Sequence, residues 1–128
     1  MSQIFTCRLK VYEYIEAKYK AQPEYLWKRF PNYAVFRHYE NRKWFAILMD
    51  VKKSKLGDFK EDVVDILNVK LGDHLAVELL SQREGFFKGY HISRGNWLSV
   101  LLDGSVELDE ILCLIDESYA VTAPKRKR

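Results

Sequence analysis

A chain of 128 residues suffices for one domain that buries its own core without disulfide or metal staples. At 48% hydrophobic and 14% aromatic residues it is not a disordered polymer, and no apolar run approaches the roughly 20 residues of a membrane-spanning helix. The net charge of +3 hides an asymmetry: residues 1–60 hold 13 Lys and Arg against 6 Asp and Glu, residues 61–124 hold 4 against 12, and residues 125–128 read KRKR. A basic first half is a hint of an anionic partner, unless the two halves neutralise each other within one fold.

In chain order, Phe5, Leu9, Tyr12, Ile15 and Tyr19 repeat at 4, 3, 3 and 4, which predicts a first helix ending near Gln22, before Pro23. Residues 24–30 are expected to add a turn. Two strands follow, about Ala34–Tyr39 and Lys43–Val51, joined around Asn41, a residue that tolerates left-handed backbone. The second, KWFAILMDV, is apolar on both faces, as a central strand would be. Lys52, Lys53 and Lys55 then mark a basic loop before a third strand at about Val64–Lys70. Asp73 is a natural N-cap for a short helix with Leu75, Leu79 and Leu80 inward. A fourth strand is expected near Phe87–Ile92 and a fifth from Trp97. A last helix at about Glu107–Val121 places Leu108, Leu112, Ile115 and Tyr119 inward and Cys113 in its apolar pattern. The order α-β(3)-α-β(2)-α predicts an α+β domain of two layers, helices against one antiparallel sheet, over residues 1–124, with a basic tail at 125–128. The polar start, lacking an apolar leader, predicts a cytoplasmic protein.

The segment GYHISRGNWLSVLLDGSV, Gly89–Val106, is the most distinctive. Its Asp103-Gly104 corner ends the fifth strand, because Gly takes positive φ cheaply and Asp bonds its own backbone. Gly89-Tyr90-His91, Trp97, Val100, Leu102-Asp103-Gly104, Val106, Leu114-Ile115-Asp116 and Ser118-Tyr119 together resemble the MmcQ/YjbR family of small cytoplasmic bacterial proteins. Weaker echoes are Ala34-Val35-Phe36, Phe45-Ala46-Ile47-Leu48 and residues 67–80. The resemblance implies the same α-β(3)-α-β(2)-α order, a fold similar to that of secretion chaperones, and a label of DNA binding through paired hairpin wings. The chain departs from the family pattern at Ser93-Arg94, where an Asn-Lys pair is usual, at Asn96, where His is frequent, and around Glu107, where Pro is common.

No catalytic signature stands out. His38, His74 and His91 lack metal-ligand spacing, there is no nucleophile elbow or phosphate loop, and a His91–Ser93–Asp103 cluster has only spacing in its favour. Neither catalysis, a metal nor a cofactor is expected. Nucleic-acid binding has more behind it: Arg37, Arg42 and Lys43 flank the first hairpin, Lys52, Lys53 and Lys55 follow it, and Lys88, His91, Arg94, Asn96 and Trp97 surround the second. Cations would neutralise phosphates, Asn would bond a base edge and Trp would stack on an exposed base. The expected function is a non-enzymatic binding module, with DNA as first partner. The alternative is a protein-interaction module using the aromatic N-terminal half, where Tyr14, Tyr25, Trp27, Tyr33 and Trp44 exceed what one inward face accommodates. A monomer or weak dimer is expected in either case.

Overall fold

The computed structural model describes residues 3–57, 61–90 and 95–125. Helix α1 spans Gln3–Tyr19, followed by strands β1 (Ala34–Arg37) and β2 (Trp44–Lys52). A single 3-10 turn, Lys53–Leu56, precedes β3 (Val63–Lys70). Then come α2 (His74–Leu80), β4 (Phe86–Lys88), β5 (Trp97–Leu101) and α3 (Leu108–Thr122). The five strands form one antiparallel sheet in the order β1-β2-β3-β5-β4, so the α+β architecture expected from the sequence is the one observed.

Alternation along the strands divides the core in two. Ala34, Phe36, Ala46, Leu48, Leu67, Val69, Leu98 and Val100 face the helices, where Val11, Ile15, Val77, Ile111, Leu114 and Ile115 cover them. Val35, Ile47, Met49, Val51, Val64 and Ile66 face the other way, onto a side covered by connecting segments rather than by a helix. β2 is therefore buried on both faces, as its composition predicts.

The helices keep part of their predicted faces, with Ile15, Leu80, Leu112, Ile115 and Tyr119 on the core, and depart from the rest. α1 ends at Tyr19 because Lys20 takes a left-handed conformation (φ 57°) while its N–H bonds the Glu16 carbonyl at 3.0 Å. Ile15 is buried and Tyr12 and Tyr19 pack partly buried on the same core, as expected, but Val11 joins them and Leu9 is exposed; the side chain of Phe5 lies outside the described residues. In α2, Asp73 is the N-cap, accepting from the Leu75 N–H at 3.0 Å. This seven-residue helix lies beside the sheet margin and buries only Val77 fully, so Leu75 and Leu79 point to solvent. α3 is rotated so that Ile111, Leu114, Ile115, Ser118 and Thr122 are inward, and Cys113 is exposed rather than buried.

Two hydroxyls explain that rotation. The Ser118 hydroxyl donates to the Phe45 carbonyl at 2.6 Å and accepts from the Lys70 N–H at 2.8 Å, joining α3 to β2 and β3. The Thr122 hydroxyl donates to the Ser118 carbonyl at 2.7 Å, so the 2.8 Å contact with buried His38 requires His38 Nε2–H to be the donor. Burial pushes the His38 pKa below its usual value. Because the folded pKa is depressed, the stability from neutral His38 is complete above about pH 6.5 and is lost as pH falls through the folded value. The midpoint of urea unfolding is expected to drop between pH 7.5 and 5.5, and to drop less in His38→Gln. An equal drop in the variant would clear His38 as the source.

Candidate functional site: an aromatic pocket on the helix-free face

The site begins with the chain between α1 and β1. Glu24 makes a β-bridge with Val35, exchanging backbone bonds of 2.8 and 2.9 Å, so the expected turn at residues 24–30 starts as an extended contact on the sheet edge. The chain then turns twice, with the Phe30 N–H on the Trp27 carbonyl (3.2 Å) and the Tyr33 N–H on the Phe30 carbonyl (3.1 Å). These turns bring Trp27, Phe30 and Tyr33 over the helix-free face. Phe30 stacks on Tyr33 with centroids 4.7 Å apart, and Trp27 meets Tyr33 and Trp44 edge-on at 5.7 and 5.9 Å.

Trp44 reaches this face through a bulge. The β1–β2 register runs Phe36↔Ala46 and then Arg37↔Trp44, which leaves Phe45 as an extra residue. Strict alternation would send Trp44 to the helix side with Ala46 and Leu48. The extra residue reverses both neighbours: Phe45 enters the helix-side core and Trp44 packs on the opposite cluster.

The result is a pocket of about 690 Å³ with Ile47 and Met49 as its floor, the four aromatic rings and Tyr90 as its walls, and Lys55 as its charged lining residue. Its size and apolar lining match those of small-molecule sites. Beside the floor, a polar chain buried on the same face ties two lining residues together. The Tyr90 N–H donates to Ser99 Oγ at 2.8 Å, the Ser99 hydroxyl donates to Asn68 Oδ1 at 2.5 Å, and Asn68 Nδ2 meets the Met49 sulfur at 3.7 Å. Asn68 and Ser99 are register partners on β3 and β5, so the sheet itself presets this contact. Burial, then the nearby Tyr90 and Asp50, pushes the Tyr33 pKa up and keeps its phenol protonated as a donor.

Comparison with known proteins places this architecture. The YjbR family profile matches residues 16–121. The uncharacterized protein YyaQ of Bacillus subtilis (strain 168) is 34% identical over 115 residues, covering 90% of this chain and 97% of that one. The chain belongs to the YjbR family. A crystal structure of a Pseudomonas syringae protein is 36% identical with a TM-score of 0.86, covering 91% of this chain and 98% of that one. A Pseudomonas syringae solution structure is 35% identical with a TM-score of 0.82, covering 94% and 96%. A Deinococcus radiodurans protein at 20% identity and a TM-score of 0.58, covering 79% and 67%, shares the fold.

Within this YjbR domain the residues that carry the family likeness are largely architectural. Asp103 Oδ1 accepts from the Ser105 N–H at 2.9 Å and Gly104 has φ 95°, the corner expected from Asp-Gly. Asp116 accepts from Tyr14 (2.7 Å), Tyr19 (2.5 Å) and Lys18 (3.1 Å), clamping α3 to α1. Burial opposes its ionisation, but those three donors hold its pKa below the ordinary value. Ser118 and Tyr119 dock α3 on the sheet, with Tyr119 stacked on Tyr19 at 3.8 Å.

The candidate nucleic-acid contacts of the YjbR domain fall in two places. β2 and β5 run in the same direction, so residues 38–43 of the first hairpin and the described residues 89–90 and 95–96 that flank β4 and β5 share one end of the sheet. Lys52 ends β2 at the opposite end of the sheet, with Lys53 and Lys55 in the 3-10 turn after it. At the tip end Arg37 and Arg42 pair with Glu24 (3.2 and 3.5 Å), and Lys88 pairs with Glu78 of α2 (3.0 Å). Arg42 (φ 62°), not Asn41, supplies the left-handed turn residue, while Asn41 Nδ2 donates to the Thr122 carbonyl at 2.9 Å. Lys43 is exposed, the Asn96 carbonyl accepts from the Leu71 N–H at 2.8 Å, and Trp97 packs half-buried on the helix-free cluster. Lys52 meets Glu61 at 3.6 Å, whereas Lys53 and Lys55 have no ion pair among the described residues. His91, Ser93, Arg94 and residues 126–128 lie outside the described residues. Among those described, no helix is long and apolar enough to cross a membrane, and no three His, Cys, Asp or Glu side chains gather at metal-binding distance.

Sequence reasoning flagged Trp27, Tyr33 and Trp44 as surplus aromatics and Lys55 as a loop cation, but did not unite them. Phe30, Met49 and Tyr90 were not singled out for this site. The available signal was the aromatic spacing WxxFxxY at 27–33, which two successive tight turns place on one side.

Proposed function

We propose that this YjbR protein is a non-catalytic binding module whose recognition site is the aromatic pocket on the helix-free sheet face. The supporting observation is a 690 Å³ pocket in which aromatic rings stay accessible, Phe30 at 46% exposure, instead of collapsing onto the sheet. The pocket draws on the N-terminal aromatics that also suit a protein-interaction surface, and its volume favours a compact ligand or a single inserted side chain.

DNA binding through the hairpins is a second reading, favoured by the starts of β2 and β5 sharing one end of the sheet. The ion pairs at Arg37, Arg42 and Lys88 weaken it, because a phosphate would have to compete with carboxylates already in place. Amide and indole NMR shifts separate the two. Titration with 2-naphthamide, an uncharged planar probe, is expected to move the Trp27 and Trp44 indole N–H signals. Titration with duplex DNA is expected to leave Lys43, Lys88 and Asn96 in place. DNA shifts at those residues with silent indoles would replace the pocket reading by the hairpin reading.

A further inference from the structure

We infer that the ligand of this pocket is a planar aromatic carboxylate whose ring inserts between the aromatic walls and whose carboxylate meets the Lys55 ammonium at the rim. The inference rests on the pocket being a binding site and adds the class of its ligand. Three features carry it.

The first is charge. Of the eight lining residues Lys55 is the one that is ionised, and it has no ion pair among the described residues. No lining residue bears a carboxylate, and the nearby Asp50 is engaged by Asn32 Nδ2 at 2.9 Å. An ammonium over an otherwise apolar mouth gives an anion a partner with no competing carboxylate among the described lining residues.

The second is the direction of the ring electrostatics. A cluster of Trp, Tyr and Phe can also cage a cation. Here a guanidinium already occupies that role, with Arg37 lying 5.9 Å from the Trp44 ring centre, and Lys55 stands on the same lining. A cationic ligand would face the Lys55 ammonium, while an anionic one would pair with it.

The third is shape. Trp27 presents edges to Tyr33 and Trp44, at 72° and 81°, whereas Phe30 and Tyr33 lie nearly parallel at 14°. Walls meeting near right angles bound a slot suited to a flat ring, which gains offset or edge-on contacts on two sides.

The experiment compares 2-naphthoate with its near-isosteric amide, 2-naphthamide, by the Trp27 and Trp44 indole shifts of the full-length protein. Wild type is expected to bind the carboxylate about fivefold more tightly than the amide, as one ion pair at an exposed rim allows. Lys55→Gln is expected to bring the carboxylate-to-amide affinity ratio to about one, and Lys53→Gln to keep the preference. A dispersed amide spectrum verifies that each variant is folded. Equal binding of the two probes by wild type, or a preference surviving in Lys55→Gln, overturns the carboxylate assignment while leaving the pocket standing. Silence of both indoles toward both probes overturns the pocket and the assignment together.

Discussion

Phe45→Ala is expected to lose about 3–5 kcal/mol of stability, the cost of emptying a fully buried aromatic site. Phe45 sits among Tyr19, His38 and Tyr119, with ring centres 5.8, 5.3 and 4.9 Å away, and its carbonyl receives the Ser118 hydroxyl at 2.6 Å. These neighbours belong to α1, the first hairpin and α3, so collapse around a smaller side chain would have to move all three. The bulge adds a further consequence. Phe45 and Trp44 exchange faces through the same extra residue, so loosening Phe45 is expected to weaken probe binding at Trp44 on the opposite side of the sheet. Phe30→Ala is the contrasting variant: half-exposed on the pocket, it is expected to cost under about 1 kcal/mol while weakening binding. Urea unfolding of the two variants measures this difference directly, and similar losses would place Phe30 in the core.

The second large effect is expected from Arg8→Met. Arg8 Nη1 donates to Asp65 at 2.6 Å, both side chains being about one-seventh exposed, while its other nitrogens reach the Tyr12 hydroxyl and the Asn32 carbonyl. Removing it strands a carboxylate facing α1, at about 2–3 kcal/mol, less than the 3–5 of a fully buried pair. Burial already pushes the Asp65 pKa above its ordinary value despite Arg8. A carboxyl raised on folding contributes stability below its unfolded pKa and loses it as pH rises through the folded value. The variant raises Asp65 further, so its deficit is expected to be largest near pH 7 and to shrink toward pH 4.5. Adding Asp65→Leu is expected to recover most of the loss. A deficit independent of pH would mean that Arg8 acts through packing alone. Asn32 lies between Phe30 and Tyr33, so the same variant is also expected to slacken one pocket wall.

The order of elements was legible because hydrophobic period and chain punctuation agree almost everywhere. The continuous apolar run of β2, Asp73 as a cap and the Asp103-Gly104 corner act locally, so they survive any tertiary arrangement. What was not legible depends on contacts far apart in sequence. Cys113 fits an apolar helical pattern, yet Ser118 and Thr122 turn α3 by bonding Phe45, Lys70 and His38, and polar residues win the inward face. Leu75 and Leu79 look inward until α2 is found at the margin of the sheet. The pocket was hidden for the same reason: a bulge visible only in strand register aims Trp44, and a loop after β2 brings Lys55 to rings from before β1.

The bridge at Glu24 has a consequence for how copies of the protein behave together. An outermost strand with unsatisfied amides invites a neighbour to pair with it, the first step toward aggregates. On the β1 side, Glu24 occupies the outward N–H and C=O of Val35, and its carboxylate gathers two arginines around the place where an intruding strand would dock. On the other side, β4 is three residues long, too short to template much pairing. Both rims thus offer little backbone for strand addition, although the face between them carries an uncovered aromatic hollow.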